Sequence, residues 1–377
     1  MNNVSLPTPN TFPDLLLILI ALSGEFPSAL VSSLPYTEYY KRNAITQMKK
    51  AGLIYKYSHD GLHGLRLTSK AKELLLTRQP DRYGSILAGD SVLNAPKYAA
   101  ARRIRLHRMA EVLVTMFNAG FYVFPWEKSD IFRENGGTAL SAIRYPAYYT
   151  SLEVKGSGDE GRKFTGSRAT GILFGYDDIY LIFNTGSSEM KWDSDSEARL
   201  RVFITYDLSN CEHAGRYLMK RPDAIMFASD MGQMEVLMRG GKKKGRNQTV
   251  LDDFEHFHYL TSDYHGEIIL NILCNPSAKK LIDSILLKGL TLIPESSKRI
   301  ECDAADGNGG LVLFSYTCDM PRIRRFVWGI ETLEVKGTVY CFDFQEEMMR
   351  RVCGPTVDVK RMKFGAAVRV LRENGYI

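Results

Sequence analysis

The chain has 377 residues, enough for two or three domains that each bury a core. Its 45% hydrophobic and 24% charged content is ordinary for a soluble protein, and six cysteines without a Cys-x-x-Cys spacing exclude a disulfide frame or a zinc knuckle. The net charge is +6, but Lys41 to Arg108 holds 15 Lys and Arg against 4 Asp and Glu; that window is +11, which leaves −5 for the rest and points the front end at nucleic acid or an acidic surface.

The N-terminal stretch from Pro13 to Thr77 is the most legible. An apolar block, Leu15 to Leu22, follows Pro13 and Asp14, which favour a helix start, and Gly24 ends it. No Lys or Arg precedes the block and Gly24-Glu25 cuts it short, so it reads as neither a spanning helix nor an export signal. Pro27 to Leu34 gives a second helical segment, closed by Pro35. A third runs from an N-cap at Thr37 through Tyr40, Ala44, Ile45 and Met48 to Gly52. Ala44, Met48 and Ala51 recur at helical spacing and predict one buried face, leaving Lys41, Arg42, Asn43, Gln47 and Lys49 outward. Lys and Arg neutralise phosphates, and Asn and Gln pair with base edges in a major groove. Leu53 to Tyr57 and Gly64 to Thr68 alternate as strands joined by Ser58, His59, Asp60 and Gly61, a hairpin with an Asp-Gly turn signal.

This order, three helices, a hairpin and a closing helix, is that of a winged helix-turn-helix. Leu53-Ile54 after Gly52, then Leu67-Thr68 leading into Lys70, Leu74 and Leu75, resembles the pattern of bacterial winged-helix DNA-binding proteins. Among such proteins it is similar to the replication-relaxation group of plasmids and other mobile elements. The resemblance covers about a fifth of the chain, and Ala71 departs from the glycine such proteins often carry after the Leu-Thr pair. It implies double-stranded DNA as partner, with Arg42, Asn43, Gln47 and Lys49 in the groove and Lys50, Lys56, His59 and Arg66 nearer phosphates. The competing use of such a fold is protein contact.

Beyond the wing, residues 79–98 have the composition of a linker. Ala99 to Ala119 reads as one helix whose first turns carry Arg102, Arg103, Arg105 and Arg108, an arrangement that opposes the helix dipole and that phosphates would relieve. From Phe121 the pattern is mixed α/β. Strands are predicted at Ile172 to Phe174, Ile179 to Phe183, Ala224 to Phe227, Ile268 to Leu273, Leu311 to Tyr316 and Thr338 to Phe342, and helices at Ser194 to Ile204, Glu212 to Lys220, Val250 to Leu260, Ala278 to Lys288 and Gln345 to Arg351. The expected domains are therefore 1–78, a linker at 79–98, an α/β domain at 99–265, and 266–377 as part of the same body or a second small domain. Apart from Leu-Glu-Val-Lys-Gly at 152–156 and again at 333–337, no internal repeat is visible.

Several constellations bear on chemistry. Glu197, Pro222-Asp223 and Glu235, the last on an apolar strand candidate, resemble the PD-(D/E)XK nuclease layout, in which carboxylates hold Mg²⁺. Leu237 stands where that pattern needs lysine, with Arg239 or Lys242 as substitutes, so the resemblance implies a degenerate core that keeps the fold and loses cleavage. On a strand, Glu153-x-Lys155 and its twin Glu334-x-Lys336 would each point both side chains one way, as the Glu-x-Lys half of a nuclease site does; the better reading of both is a surface ion pair. His256-Phe257-His258 has the histidine spacing of rolling-circle nicking enzymes, but a helix there would point the two rings apart. Gly156-x-Gly158-x-x-Gly161 matches a dinucleotide fingerprint by letters alone, with Asp159 and Glu160 repelling a pyrophosphate; it reads as a loop. Gly240-Gly241-Lys242-Lys243-Lys244-Gly245-Arg246 is a basic loop suited to clamping phosphate.

The sequence thus predicts a cytoplasmic double-stranded DNA-binding protein with no cofactor and no membrane partner. The alternatives are a Mg²⁺-dependent nuclease or nicking enzyme, and a regulator whose body binds a protein or small ligand. Paired half-sites would suit a homodimer, although no heptad seam demonstrates one.

Overall fold

The computed structural model describes residues 5–88, 98–129, 131, 144–155, 167–187, 194–209, 215–218, 220–239, 250–294, 296 and 298–377, without the side chains at 155, 239, 250 and 252. The chain divides into two compact units, residues 1–128 and 129–377.

The first unit is built around α1 (Phe12–Ser23), whose residues Leu15 to Leu22 are all buried. A helix apolar all round must be wrapped on every side, and α1 packs against α2 (Glu38–Lys50), α4 (Pro80–Leu87), α5 (Ala100–Asn118) and the sheet strand β3 (Leu62–Leu67). The described residues include no helix long and apolar enough to cross a membrane. Between α1 and α2 lie β1 (Phe26–Pro27) and a 3₁₀ segment, Ser28–Ser33; the α-helix expected at 27–34 is this tighter turn, bounded by Pro27 and Pro35. β2 (Ile54–His59) pairs with β3 antiparallel, and β1 pairs with β3 from the other side. The hairpin closes through two residues, not the four expected, because Asp60 and Gly61 both adopt positive φ (51° and 71°) and His59 faces Leu62. Thr68 then caps α3 (Ser69–Arg78), its Oγ1 accepting from the Ala71 amide at 3.0 Å.

Two expectations for this region are corrected. The stretch 79–98 is not wholly a linker: Pro80 starts α4, which buries Tyr83, Ile86 and Leu87, while residues 89–97 lie outside the described set. The helix at 99–119 belongs with the N-terminal unit rather than the α/β body, since its buried face, Met109, Val112, Leu113 and Met116, covers α1.

The second unit holds two five-stranded sheets. One comprises β4 (Ala147–Thr150), β5 (Gly171–Phe174), β6 (Ile179–Gly186), β7 (Asp223–Ala228) and β8 (Phe257–Thr261). The other comprises β9 (Thr291–Leu292), β10 (Ala304–Ala305), β11 (Leu311–Phe314), β12 (Gly337–Phe342) and β13 (Val357–Met362). In each, strand order follows chain order; three strands run antiparallel and two more are added in parallel. The parallel crossovers are α7 (Ser194–Ser209) and α8 (Gly232–Arg239) in the first, α11 (Met320–Leu333) and α12 (Glu346–Cys353) in the second. The two halves therefore share one plan that no sequence repeat announces. The common pentapeptide is not its trace, because residues 152–155 lie in α6 (Ser151–Lys155) whereas 333–337 spans the end of α11 and the start of β12. Phe183, Met226 and Phe257 of the first sheet share one apolar cluster with Leu313, Val339 and Cys341 of the second.

Most predicted body elements are present, with four changes of type. Ile268 to Leu273 is helical, inside α9 (Tyr264–Cys274), because Asp263 caps the amides of His265 and Gly266 and sets the helix before the apolar run begins. α10 (Pro276–Leu286) follows directly. Val250 to Leu260 is not a helix but a 3₁₀ turn at Val250–Asp253 followed by β8, a strand buried on both faces whose apolar run has no alternation to read. Of the helix expected at 212–220, residues 215–217 form one 3₁₀ turn, and 211–214 and 219 lie outside the described residues. Glu235 sits on a helix, α8, with Met234 and Leu237 buried three apart. α13 (Phe364–Glu373) ends the order.

Candidate nucleic-acid interface

α2 buries Ala44 and Met48 and turns Arg42, Asn43, Gln47, Lys49 and Lys50 to solvent, as its spacing predicts. Tyr39, 79% exposed in the first turn, extends the same surface and was not singled out from the sequence. On the hairpin Lys56, Ser58, His59 and His63 are exposed, and Tyr55 is partly so. Arg102 and Arg105 are exposed on α5.

Three residues expected at this surface are buried instead. Lys41 is 2% exposed; its Nζ donates to the carbonyls of Ser32 (2.9 Å) and Leu34 (3.2 Å). The 3₁₀ segment leaves those acceptors at its end, and the lysine ammonium satisfies them. Arg66 and Arg103, 5% and 0% exposed, converge on Glu25, itself fully buried. Arg66 donates through Nε (2.9 Å) and Nη2 (2.6 Å), Arg103 through Nη2 (2.7 Å), and His107 Nε2 lies 2.8 Å from the same carboxylate. Burial pushes the Glu25 carboxyl up, but hydrogen bonds from His107, Arg103 and Arg66 prevail and hold its pKa at about 2. The carboxylate lies on the backbone of Gly64, where an added Cβ would come within 2.2 Å of Glu25 Oε1. Nothing in local sequence marks Glu25 as the hub, beyond an acid set between a helix-ending glycine and the buried Phe26. The dipole objection to arginines at the start of α5 is partly answered here, because the Arg103 charge is neutralised internally.

The basic loop with Lys242, Lys243 and Lys244 lies outside the described residues, as do Gly156, Gly158 and Gly161. The nuclease-like carboxylates are described and are not brought together. Glu197 is fully buried and accepts from Ser167 Oγ (2.9 Å) and the Arg168 amide (2.6 Å), so it anchors the segment before β5. Asp223 opens β7, whereas Glu235 lies within α8, beyond the far end of that strand. Glu235 instead lies 3.9 Å from Arg351. Glu153 accepts from Thr150 N and Oγ1 within the first turn of α6, and Glu334 is the left-handed C-cap of α11, so neither is the Glu-x-Lys half of a strand site.

His256 and His258 depart from expectation in the other direction. Because this stretch is extended, both rings lie on one face, stacked with centroids 6.3 Å apart and planes 13° from parallel. His256 Nδ1 meets Asp319 Oδ2 at 2.6 Å, and His258 Nδ1 the Thr317 carbonyl at 3.2 Å. With Tyr259 N donating to the Cys318 carbonyl at 3.0 Å, these contacts join β8 to the segment after β11. The hydrogen bond that the His256 ring donates to Asp319 raises the His256 pKa, burial lowers that of His258, and burial lifts Asp223 to about 6. Among the described residues no group of three His, Cys, Asp or Glu converges as a metal site. Cys274, Cys302, Cys318, Cys341 and Cys353 are buried and unbridged, with burial pushing the Cys341 and Cys353 thiols up to about 12.

Compared with protein-family models, curated proteins and solved structures, the chain has no match.

Proposed function

We propose that the first unit is a winged helix-turn-helix that binds double-stranded DNA, with α2 in the major groove and the β2–β3 hairpin as the wing. The observation that carries the reading is the division of labour on α2: Ala44, Met48 and Lys41 turn inward, while Arg42, Asn43, Gln47, Lys49 and Lys50 remain exposed on a helix directly followed by a hairpin. Arginine and lysine supply phosphate contacts, and Asn43 and Gln47 supply amides able to read adenine. Lys56 and His59 on the hairpin, and Arg102 and Arg105 on α5, add contacts to the flanking backbone. The resemblance of the Gly52–Leu75 pattern to replication-relaxation proteins supports a role in the replication, transfer or transcription control of a plasmid or other mobile element. In the same proposal the second unit is a PD-(D/E)XK-like body without its catalytic set, since Glu197, Asp223 and Glu235 serve separate places.

The test is incubation of the full chain with labelled plasmid DNA in Mg²⁺, in Mn²⁺ and in EDTA, scoring mobility shift and cleavage. A salt-sensitive shift without cutting, lost in Arg42→Ala/Lys49→Ala, supports the proposal. Metal-dependent cutting abolished by Asp223→Ala would replace it with a nuclease. No shift and no cutting would mean that the hairpin unit meets a protein.

A further inference from the structure

The binding surface leaves Arg103 without a place at the DNA, because none of it reaches solvent. Its guanidinium is nevertheless engaged through all three of its nitrogens. Nε and Nη2 hold Glu25 at 3.1 and 2.7 Å, Nη1 donates to the His59 carbonyl at 2.6 Å, and Nη2 reaches those of Leu62 (3.0 Å) and Tyr57 (3.4 Å). These three carbonyls flank the Asp60–Gly61 turn. The Tyr57 ring covers the group, its centroid 4.6 Å from Arg103 Cζ and 4.0 Å from Arg66 Cζ. His107, one helical turn along α5, gives that helix a second hold on Glu25. One side chain thus connects α5, the α1–β1 junction and the tip of the hairpin.

A two-stranded hairpin is marginal by itself, and a mobile one loses conformational entropy when it binds. We propose that Arg103 is the positioning residue of the DNA interface, fixing the wing on α5 so that Lys56, His59 and Arg102 are presented to the duplex backbone as one rigid element. This rests on the DNA-binding reading above. The role requires arginine: a lysine ammonium can pair with Glu25, but it has no planar fork to span the carboxylate and the hairpin carbonyls together.

The experiment is Arg103→Lys in the full chain, read by amide hydrogen exchange and by hydroxyl-radical footprinting on bound duplex, with Lys41→Met as a control that destabilises the unit elsewhere. In Arg103→Lys, amides of residues 57–63 should exchange at least ten-fold faster relative to those of α1. Affinity should fall about ten-fold, with the wing footprint lost and the α2 footprint kept; Lys41→Met should leave the wing amides at the pace of α1. Unchanged wing exchange and an unchanged wing footprint in Arg103→Lys would overturn the proposal. If wild type gives no footprint while Arg103→Lys still releases the hairpin, the DNA reading fails and the positioning role stands. Should Arg103→Lys not fold, exchange of the wild-type protein in rising urea decides: the hairpin and the first turn of α5 must open together with one urea dependence, and separate opening overturns the inference.

Discussion

The first unit keeps its cations in two settings. On α2, Arg42, Lys49 and Lys50 stand in water, while around Glu25 two arginines and a histidine surround one carboxylate with almost no exposure. The residue types are the same and the physics is opposite. An exposed cation contributes about 0–1 kcal/mol to stability and is screened by salt, so it is free for a partner. Removing one member of a buried pair leaves an uncompensated charge and costs about 3–5 kcal/mol. What separates the settings is one acid: without Glu25, Arg66 and Arg103 could not stay inside.

The contrast can be broken at several points. The largest loss is expected for Glu25→Leu, which strands two guanidinium groups; thermal unfolding of the first unit should show destabilisation of about 3–5 kcal/mol, and a smaller loss than Lys41→Met produces would refute the hub. Acid should expose the same hub. The folded Glu25 pKa, about 2, lies below its ordinary value of 4.5, so its contribution is complete above that ordinary value and is lost as pH falls from about 4.5 towards 2. Urea midpoints measured down that range should drop in wild type, and the part of the drop due to Glu25 should vanish in Glu25→Gln. Lys41→Met should cost about 1–3 kcal/mol by leaving the Ser32 and Leu34 carbonyls unmet, with wild-type stability in calorimetry as the contrary result. Smallest for stability is Arg42→Ala/Lys49→Ala, expected within about 0.5 kcal/mol of wild type. The same pair should flatten the dependence of log affinity on log salt by about 2, and an unaltered slope would take those residues off the DNA.

Most helices and the hairpin were legible because their signals are local: Pro13 and Asp14 before an apolar block, helical recurrence of Ala44 and Met48, and Asp-Gly between alternating runs. The failures share a cause. Ile268 to Leu273 is buried except at Asn271, and β8 is buried at every residue, so these runs carry neither a clear period of two nor one of 3.6, and only the cap at Asp263 tells helix from strand. The candidate interface was legible on α2 and misread for Lys41, Arg66 and Arg103, which are held inside by carbonyls and a carboxylate 7 to 78 residues away in the chain. The histidine pair was misjudged for the same reason: its geometry follows from β8, and β8 was hidden.

The burial of α1 on all sides also bears on how the protein is made. α1 ends at Ser23, and α5, which covers it, begins only at Ala100. At translation rates of about 5–20 residues per second, a helix as greasy as Leu-Leu-Leu-Ile-Leu-Ile waits for roughly 4–15 s before its lid has been synthesised. Through that interval the nascent chain presents the kind of apolar segment that chaperones hold.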